Sequence, residues 1–450
     1  MKHSIITVLG AGYVGLSTAA LLANAGFKVY AIEPNKERLE VIKQGRSFFY
    51  EHGLDPVIKA AMDAGNLIAT DSYEDSVPNS SVIFSCVGTP DNPDGSSNLT
   101  YVFGAVEEAA RYMQPGSIYV QKSTVPVGTG RKIEAMFSKA GKEFNYVSNP
   151  EFLRESTALY DTLYFDRVVV GGDDRRVAEQ VLDIYRELEA HRDKIADLAG
   201  IDKAARKGQY IATGLNSAEL IKVTANAFLA LKISFANSIA ELADKVDADI
   251  NEVMDAVGAD ERIGRKFLNA GRGYGGGCFP KDVSGLIASG LEHGVDLEIM
   301  QAAQRTNEAM PGYIIDKLQQ QIGGSLKGKK VAVLGMAFKA GTSDVRRSPG
   351  VALANLLQKS GAIVTTYDPE ARSEAARDLR RAVTQSDSIE SAIKDTDAVV
   401  VATEWPELLN YPIEKYAEHI SEGIFVDAIN SFDAHKIKAT GLTYIGVGRR

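Results

Sequence analysis

The chain has 450 residues, 45% hydrophobic and 24% charged, with a formal net charge of −9 and two cysteines. That length allows two or three domains, each with its own core, and the acidic balance without a strongly basic run speaks against nucleic acid as the main partner. Two cysteines exclude a disulfide framework and fit a reducing, cytoplasmic setting, and no apolar run is expected to approach membrane-spanning length.

In chain order, the first half reads as strands alternating with helices, which implies a parallel, doubly wound sheet. Residues 1–9 read as a strand feeding a glycine turn, without the cleavage pattern of a signal peptide. The strand proper covers 4–9, a helix follows over 13–24, and a second strand over 28–32. Between them stands Gly10-Ala-Gly12-Tyr13-Val14-Gly15, a dinucleotide-binding fingerprint in strand–turn–helix context. Gly10 permits the tight turn, Gly12 lets the backbone approach a pyrophosphate, and Gly15 permits close helix–strand packing. The helix N-terminus then faces the phosphates, and the run 10–15 is expected to hold the cofactor, Tyr13 and Val14 included. Glu33 ends the second strand, where a carboxylate holds both ribose hydroxyls and repels a 2′-phosphate, favouring NAD over NADP. Arg38 is open between a place near the adenine ribose and an ordinary surface arginine.

Further buried strands are expected over 81–87, 117–121 and 167–170. The first ends in Ser85-Cys86-Val87-Gly88-Thr89-Pro90, where open α/β sheets place their ligands, so Thr89 is a candidate cofactor contact. Cys86 reads as a buried small hydrophobe rather than a nucleophile, and 90–97 has the chemistry of a loop able to serve as a lid. Thr124 follows the next strand. It is open between holding a catalytic water or touching a nicotinamide and capping the next helix. In Asn149-Pro-Glu151-Phe152-Leu153-Arg-Glu155 two carboxylates stand four residues apart and would share a face if helical. Such a carboxylate can act as general base, or simply be solvated.

From 217 to 246 apolar residues recur at helical spacing without proline or glycine, which reads as a spine joining domains or subunits. Lys222 and Asn226 lie four apart on it. Lys222 is open between stabilising an oxyanion and snorkelling from the helix surface. Next comes Gly273-Tyr-Gly275-Gly-Gly-Cys278-Phe-Pro-Lys281-Asp282. The thiol precedes a proline that suits a helix's first turn. A helix N-terminus and Lys281 would both lower its pKa. Asp282 lies one turn on, and the glycines let backbone amides approach a substrate. A hydride-accepting cofactor and a thiol able to trap an aldehyde point to an alcohol oxidised twice through a thioester.

A second α/β region starts near 327, with strands over 330–334, 362–367, 398–402 and 424–426, a turn at Gly335 and a helix over 350–359. It lacks the complete glycine fingerprint. The expected fold is α/β, two Rossmann-like doubly wound domains joined by a long central helix and a helical middle domain. The expected domains are an NAD-binding domain over 1–213, a dimerisation domain carrying Cys278 over 214–325, and a C-terminal domain over 326–450.

Taken together, segments 10–15, 87–90, 123–129, 149–155, 219–228, 262–264, 273–282 and 338–349 resemble the UDP-glucose/GDP-mannose dehydrogenase family over nearly the whole chain. The resemblance implies NAD-dependent oxidation of UDP-glucose at C6 to UDP-glucuronate, with Cys278 forming a thiohemiacetal and then a thioester. It implies that Lys222, Asn226 and Asp282 polarise the sugar oxygens and a water, that Thr124 and Glu155 sit near that water and the nicotinamide, and that Glu151 is the acid–base carboxylate. Substrate contacts implied are Phe152, Leu153, Phe267, Leu268, Asn269, Ala270, Gly271, Gly275 and Lys339, with Arg262 reaching a neighbouring subunit's site. Lys281 and Arg346 would touch NAD. The spine implies a homodimer, and no metal, nucleic-acid or membrane partner is expected.

Four departures from the family pattern stand out. Ser156 replaces a usual glycine, Gly277 a usual serine, and Ile429 an arginine that contacts the substrate nucleotide. The stretch 195–213 is longer than the usual connection. The missing arginine keeps GDP-mannose or a UDP-N-acetylhexosamine open as the substrate. A simple hydroxyacid dehydrogenase has no need of Cys278, and an inactive NAD-binding scaffold has no need of Cys278, Lys222, Asn226, Asp282 and Glu155 together.

Overall fold

Apolar strands with both faces to bury need helices on both sides, and the chain meets that need twice. The computed structural model describes residues 4–141 and 143–449, so Met1–His3 of the expected leading strand lie outside the described residues. Two compact units form, Met1–Ala225 and Asn226–Arg450.

In the first unit, strands β1 (Ile5–Leu9), β2 (Lys28–Ile32), β3 (Leu67–Thr70), β4 (Val82–Ser85), β5 (Ile118–Gln121), β6 (Asn145–Ser148), β7 (Arg167–Gly171) and β8 (Gln209–Thr213) make one sheet. Its order is β3-β2-β1-β4-β5-β6-β7-β8. The first six run parallel, β7 is antiparallel to β6 through Ser148 and Gly171, and β8 is parallel to β7. Register sets Leu9 opposite Ile32 and Ser85, Ser85 opposite Gln121, and Gln121 opposite Ser148. The segments that follow β1, β2, β4, β5 and β6 therefore leave the sheet at one carboxyl edge, where open α/β sheets bind ligands. Helix Tyr13–Asn24 is buried from Gly15 to Ala23, because nearly every residue there is small or aliphatic and can lie flat on the sheet. The long connection over 195–213 finds its account here: it is the end of helix Arg175–Ala199, a link turning at Gly200, and β8, which extends the sheet at its edge.

The spine is a continuous helix, Leu215–Val246, of 32 residues, and the division between the two units falls within it. Contrary to expectation, it is long and apolar enough to cross a membrane by length and composition alone, with a window of mean hydropathy 1.2. The core helix of a soluble protein passes the same test. Buried polar residues along it, Glu219, Lys222, Asn226, Asn237 and Asp244, are matched by partners within the chain.

In the second unit, β9 (Lys330–Leu334), β10 (Ile363–Tyr367), β11 (Thr384–Gln385), β12 (Thr396–Val401), β13 (Ile420–Asp427) and β14 (Thr443–Gly446) form a parallel sheet in the order β11-β10-β9-β12-β13-β14. This repeats the order of the first six strands of the other sheet, so both units are Rossmann-like. The repeat reaches the glycines. A Cβ on Gly15 would lie 1.9 Å from the Gly10 carbonyl oxygen, and one on Gly350 would lie 2.1 Å from that of Gly335. The first pair stand five positions apart and the second fifteen. The added loop carries Phe338, Lys339 and Arg346. Strand β13 is longer than the expected 424–426 because the exposed Ser421 and Glu422 and then Gly423 separate the buried Ile420 from the apolar run.

Candidate active site

The cofactor edge of the first unit is built on glycine. Gly10 has φ +82°, and its N–H donates to the Ile32 carbonyl at 3.0 Å. A Cβ on Gly12 would meet no atom within 4 Å, so the backbone there is open to a ligand. Glu33 is buried just past β2 and accepts from the Asn35 N–H at 2.9 Å. An open turn, a helix N-terminus and a carboxylate at the next strand end fit a dinucleotide. Arg38 is exposed and its guanidinium lies 4.8 Å over the Phe48 ring. The Tyr13 phenol donates to Glu51 and accepts from the Ser156 N–H, and Val14 stands beside it in the helix's first turn. Burial raises the Tyr13 phenol well above its ordinary value.

Thr89 and Thr124 are half-buried in the segments after β4 and β5. Thr124 does not cap the next helix, which begins at Thr129 after Gly128. The cap is Glu219, whose carboxylate accepts from the Gly128 and Gly130 N–H groups at 2.7 and 2.8 Å. Cys86 is half-buried, and desolvation pushes its thiol up to about 12, consistent with an inert position.

Residues 149–155 are not helical. Residues 151–154 are irregular and a turn follows at 155–156, so Glu151 and Glu155 do not share a helix face. Glu151 instead faces inward. Its carboxylate pairs with Lys222 at 3.1 Å, the two side chains 10% and 4% exposed, and accepts from the Leu153 N–H at 2.9 Å. Lys222 therefore does not snorkel. Glu155 is half-buried in the turn after this segment, and Ser156 takes φ +69°, a conformation that suits the family's usual glycine. Phe152 lies beneath Arg167, 4.0 Å from ring centre to guanidinium. Lys122 went unremarked in the sequence. Its ammonium donates to Tyr185 at 2.9 Å, and Tyr185 in turn bonds Asn149. Burial opposes its charge most, but Tyr185, Cys86 and Glu151 outweigh that and raise its pKa. A lysine directly after an apolar strand was the available signal. These groups line a cavity of about 60 Å³.

In the second unit, Cys278 is exposed at the N-cap of helix Phe279–Glu292, with Pro280 in the first turn. Asp282 is buried one turn on. Its two oxygens accept from Asn226 Nδ2 at 2.6 Å and Lys281 Nζ at 2.9 Å. The Lys281 charge, expected beside the thiol, is thus spent on Asp282. Gly276 has φ +84° and donates its N–H to the Arg346 carbonyl at 2.9 Å. A Cβ on Gly275 would lie 2.4 Å from the Arg347 carbonyl oxygen, and one on Gly277 2.5 Å from Arg346 Cζ. Glycine in place of serine at 277 therefore makes room for Arg346, which also pairs with Asp344 at 2.6 Å. Phe267 has φ +68°, Leu268 and Ala270 are buried, Asn269 is exposed, and Gly271 donates to Asn237 at 2.8 Å. Arg262 is exposed and paired with Asp260, and Lys339 lies 5.7 Å over the Phe338 ring.

The second Rossmann turn differs from the first in one decisive respect. The Asp368 carboxylate, after β10, accepts from the N–H groups of Met336 and Ala337 at 2.6 and 2.9 Å. The donors that would hold a pyrophosphate are already taken. Arg272, in the loop before Cys278, also escaped the sequence reading. It is 7% exposed and lies among Phe338, Glu404 and Ala428. No group of three or more metal-ligating side chains occurs among the described residues.

Residues 4–189 match the NAD binding domain of the UDP-glucose/GDP-mannose dehydrogenase family, residues 216–309 its central domain, and residues 332–434 its UDP binding domain. The chain is 37% identical over 447 residues to UDP-glucose 6-dehydrogenase TuaD of Bacillus subtilis, covering 99% of this chain and 93% of that protein. A UDP-glucose dehydrogenase structure from Pyrobaculum islandicum superposes with a TM-score of 0.88 at 36% identity, covering 100% of this chain and 98% of that one. A UDP-D-ManNAc dehydrogenase structure from Pyrococcus horikoshii gives 0.85 at 27% identity, covering 99% of both.

Proposed function

The chain belongs to the UDP-glucose/GDP-mannose dehydrogenase family and is an NAD-dependent nucleotide-sugar dehydrogenase, and from that premise we propose that it oxidises UDP-glucose twice at C6 to give UDP-glucuronate. The observation that carries this reading is Cys278, an exposed thiol at a helix N-terminus reached through a run of glycines. A dehydrogenase that stopped at the aldehyde would have no use for it.

When bound, NAD accepts the hydride that leaves C6 in each oxidation. Lys222 acts on the sugar oxygen, its ammonium favouring the alkoxide as the hydroxyl proton departs. The Cys278 sulfur then bonds to C6 of the aldehyde, giving a thiohemiacetal. Loss of a second hydride and the hydroxyl proton leaves a thioester. Water attacks it, the C–S bond breaks, and the carboxylate leaves as the thiol is restored. Glu151 is the acid–base carboxylate, with Thr124 and Glu155 near the water. Asn226 and Asp282 bind sugar oxygens or that water. The helix dipole at Cys278 favours the thiolate.

The proposal includes a cytoplasmic homodimer seated on the spine helix. Phe228, Phe235, Leu242 and Val246 on that helix are 58, 48, 57 and 61% exposed, an apolar load that suits burial against a second copy. The three-domain division at 213 and 325 and the remaining cofactor and substrate contacts named from the sequence stand as part of the same proposal. A second reading keeps the chemistry and changes the nucleotide sugar, because the Ile429 side chain has no donor to offer a nucleotide.

The test is NADH released per mole of limiting UDP-glucose, with GDP-mannose and UDP-N-acetylglucosamine run alongside. Two NADH from UDP-glucose alone is the expected result. One NADH would remove the thioester, and turnover of another sugar alone would move the specificity.

A further inference from the structure

We propose that Arg272 is a specificity-determining residue whose guanidinium binds the diphosphate of the nucleotide substrate in the crevice of the second sheet. The inference deepens the nucleotide-sugar reading above and rests on it.

Its place comes first. The Arg272 N–H donates to the Ala428 carbonyl at 2.7 Å, just beyond β13. Its Nη2 donates to the Phe338 carbonyl at 2.8 Å, in the loop after β9, and faces Glu404 Oε2 at 3.3 Å, after β12. Strands β9 and β12 are the neighbours at which the strand order reverses. In a doubly wound sheet, ligands bind in the crevice outside the carboxyl ends of the strands at that point. Arg272 stands there although it belongs to the loop that leads to Cys278.

Its unmet bonding comes next. Nη1 of Arg272 is buried and has no hydrogen-bond partner among the described residues. A buried donor without an acceptor costs free energy, and a charged one costs more. Burial lowers the pKa of this guanidinium, with Glu404 opposing. A group carried at that cost in a ligand crevice is explained when the ligand brings the acceptor.

The ligand's chemistry follows from what the crevice lacks. The Met336 and Ala337 amides are occupied by Asp368, so the turn cannot hold an anion as the first sheet's turn can. Ile429 supplies no charge, and Arg346 is paired with Asp344. A diphosphate here must be met by side-chain cations. A planar guanidinium with a donor to spare suits it better than it suits a neutral sugar or base.

The experiment is calorimetric titration of the full-length chain with UDP and with uridine, beside steady-state kinetics on UDP-glucose. Arg272→Gln is expected to weaken UDP by about tenfold or more, and uridine by less than about twofold. KM for UDP-glucose should rise with the UDP dissociation constant while kcat stays within about threefold. Arg272→Lys should fall between. Unchanged UDP affinity, or equal losses for UDP and uridine, would overturn the proposal and leave Arg272 a structural plug. Should Arg272→Gln fail to fold, Glu404→Gln decides. Without its carboxylate the guanidinium should hold UDP about threefold tighter with uridine unchanged, and no tightening counts against the idea. A wild type that neither binds UDP nor turns over UDP-glucose overturns the nucleotide-sugar reading itself. Failure confined to the variants overturns only the role of Arg272.

Discussion

Cys278 is exposed because the residues before it leave it no cover. Gly276 needs φ +84°, Gly275 is pressed against the Arg347 carbonyl, and a side chain at 277 would meet Arg346. The thiol emerges at the N-cap of helix Phe279–Glu292. Replacing it by serine keeps the shape and loses the nucleophile. Cys278→Ser should cut NADH formation from UDP-glucose by about three orders of magnitude or more, with UDP-glucose affinity within about threefold. A rate within tenfold of the wild type would take Cys278 out of the reaction. The place of Cys278 at a helix N-terminus was legible in the sequence because Pro280 suits a helix's first turn. Glu151 was legible only as one of a pair. Its partner Lys222 is distant in sequence, and the segment 149–155 does not form the helix that would have tied Glu151 to Glu155. Lys281 shows the opposite limit: its neighbour Asp282 takes its charge, which spacing alone cannot reveal.

Helix Thr129–Lys139 begins after a glycine in the left-handed region, so no side chain at its own N-cap can bind the first amides. Glu219 does this from the spine helix, accepting from both Gly128 and Gly130. Glu219→Ala would leave these donors unmet and should destabilise the chain by about 1–3 kcal/mol. Burial raises the Glu219 pKa above its ordinary value, and the two amides only partly offset this. A carboxyl group raised on folding contributes most stability below its unfolded pKa and loses that contribution as pH climbs through the folded value. The melting temperature of the wild type relative to Glu219→Gln should therefore fall as pH rises from about 4 to 7. A difference that grows with pH would show the carboxylate to be favoured on folding. Long apolar elements such as Tyr13–Asn24 and Lys330–Leu334 were readable to the residue, because periodicity and flanking glycines mark both ends. Caps contributed by a distant helix were not, and neither was β8, whose half-buried residues show no apolar run.

The molecule carries the same parallel strand order twice, and strand order alone predicts two dinucleotide sites. Local chemistry cancels one of them. At Gly12 the turn is open and Glu33 turns to the Asn35 amide; the Ala11 N–H bonds the Ile32 carbonyl, so no carboxylate closes the first turn against a pyrophosphate. At Met336 and Ala337 the equivalent donors are closed by Asp368, which also accepts from the Trp405 indole at 3.1 Å and the Ala371 N–H at 2.7 Å. With the Glu370 N–H, five donors converge on that carboxylate, and displacing it would strand them all. The glycines of the second turn were not legible as a pair because ten extra residues break their spacing, and the loop so inserted carries Phe338, Lys339 and Arg346. The chain should therefore bind one NAD, and calorimetry on the cofactor-free protein should give a stoichiometry near one per chain. Gly12→Val, which fills the open turn, should abolish that binding, while Asp368→Asn should leave the stoichiometry unchanged. Two NAD per chain would mean that the Asp368 carboxylate yields to a phosphate, and that the second sheet kept the cofactor role its strand order suggests.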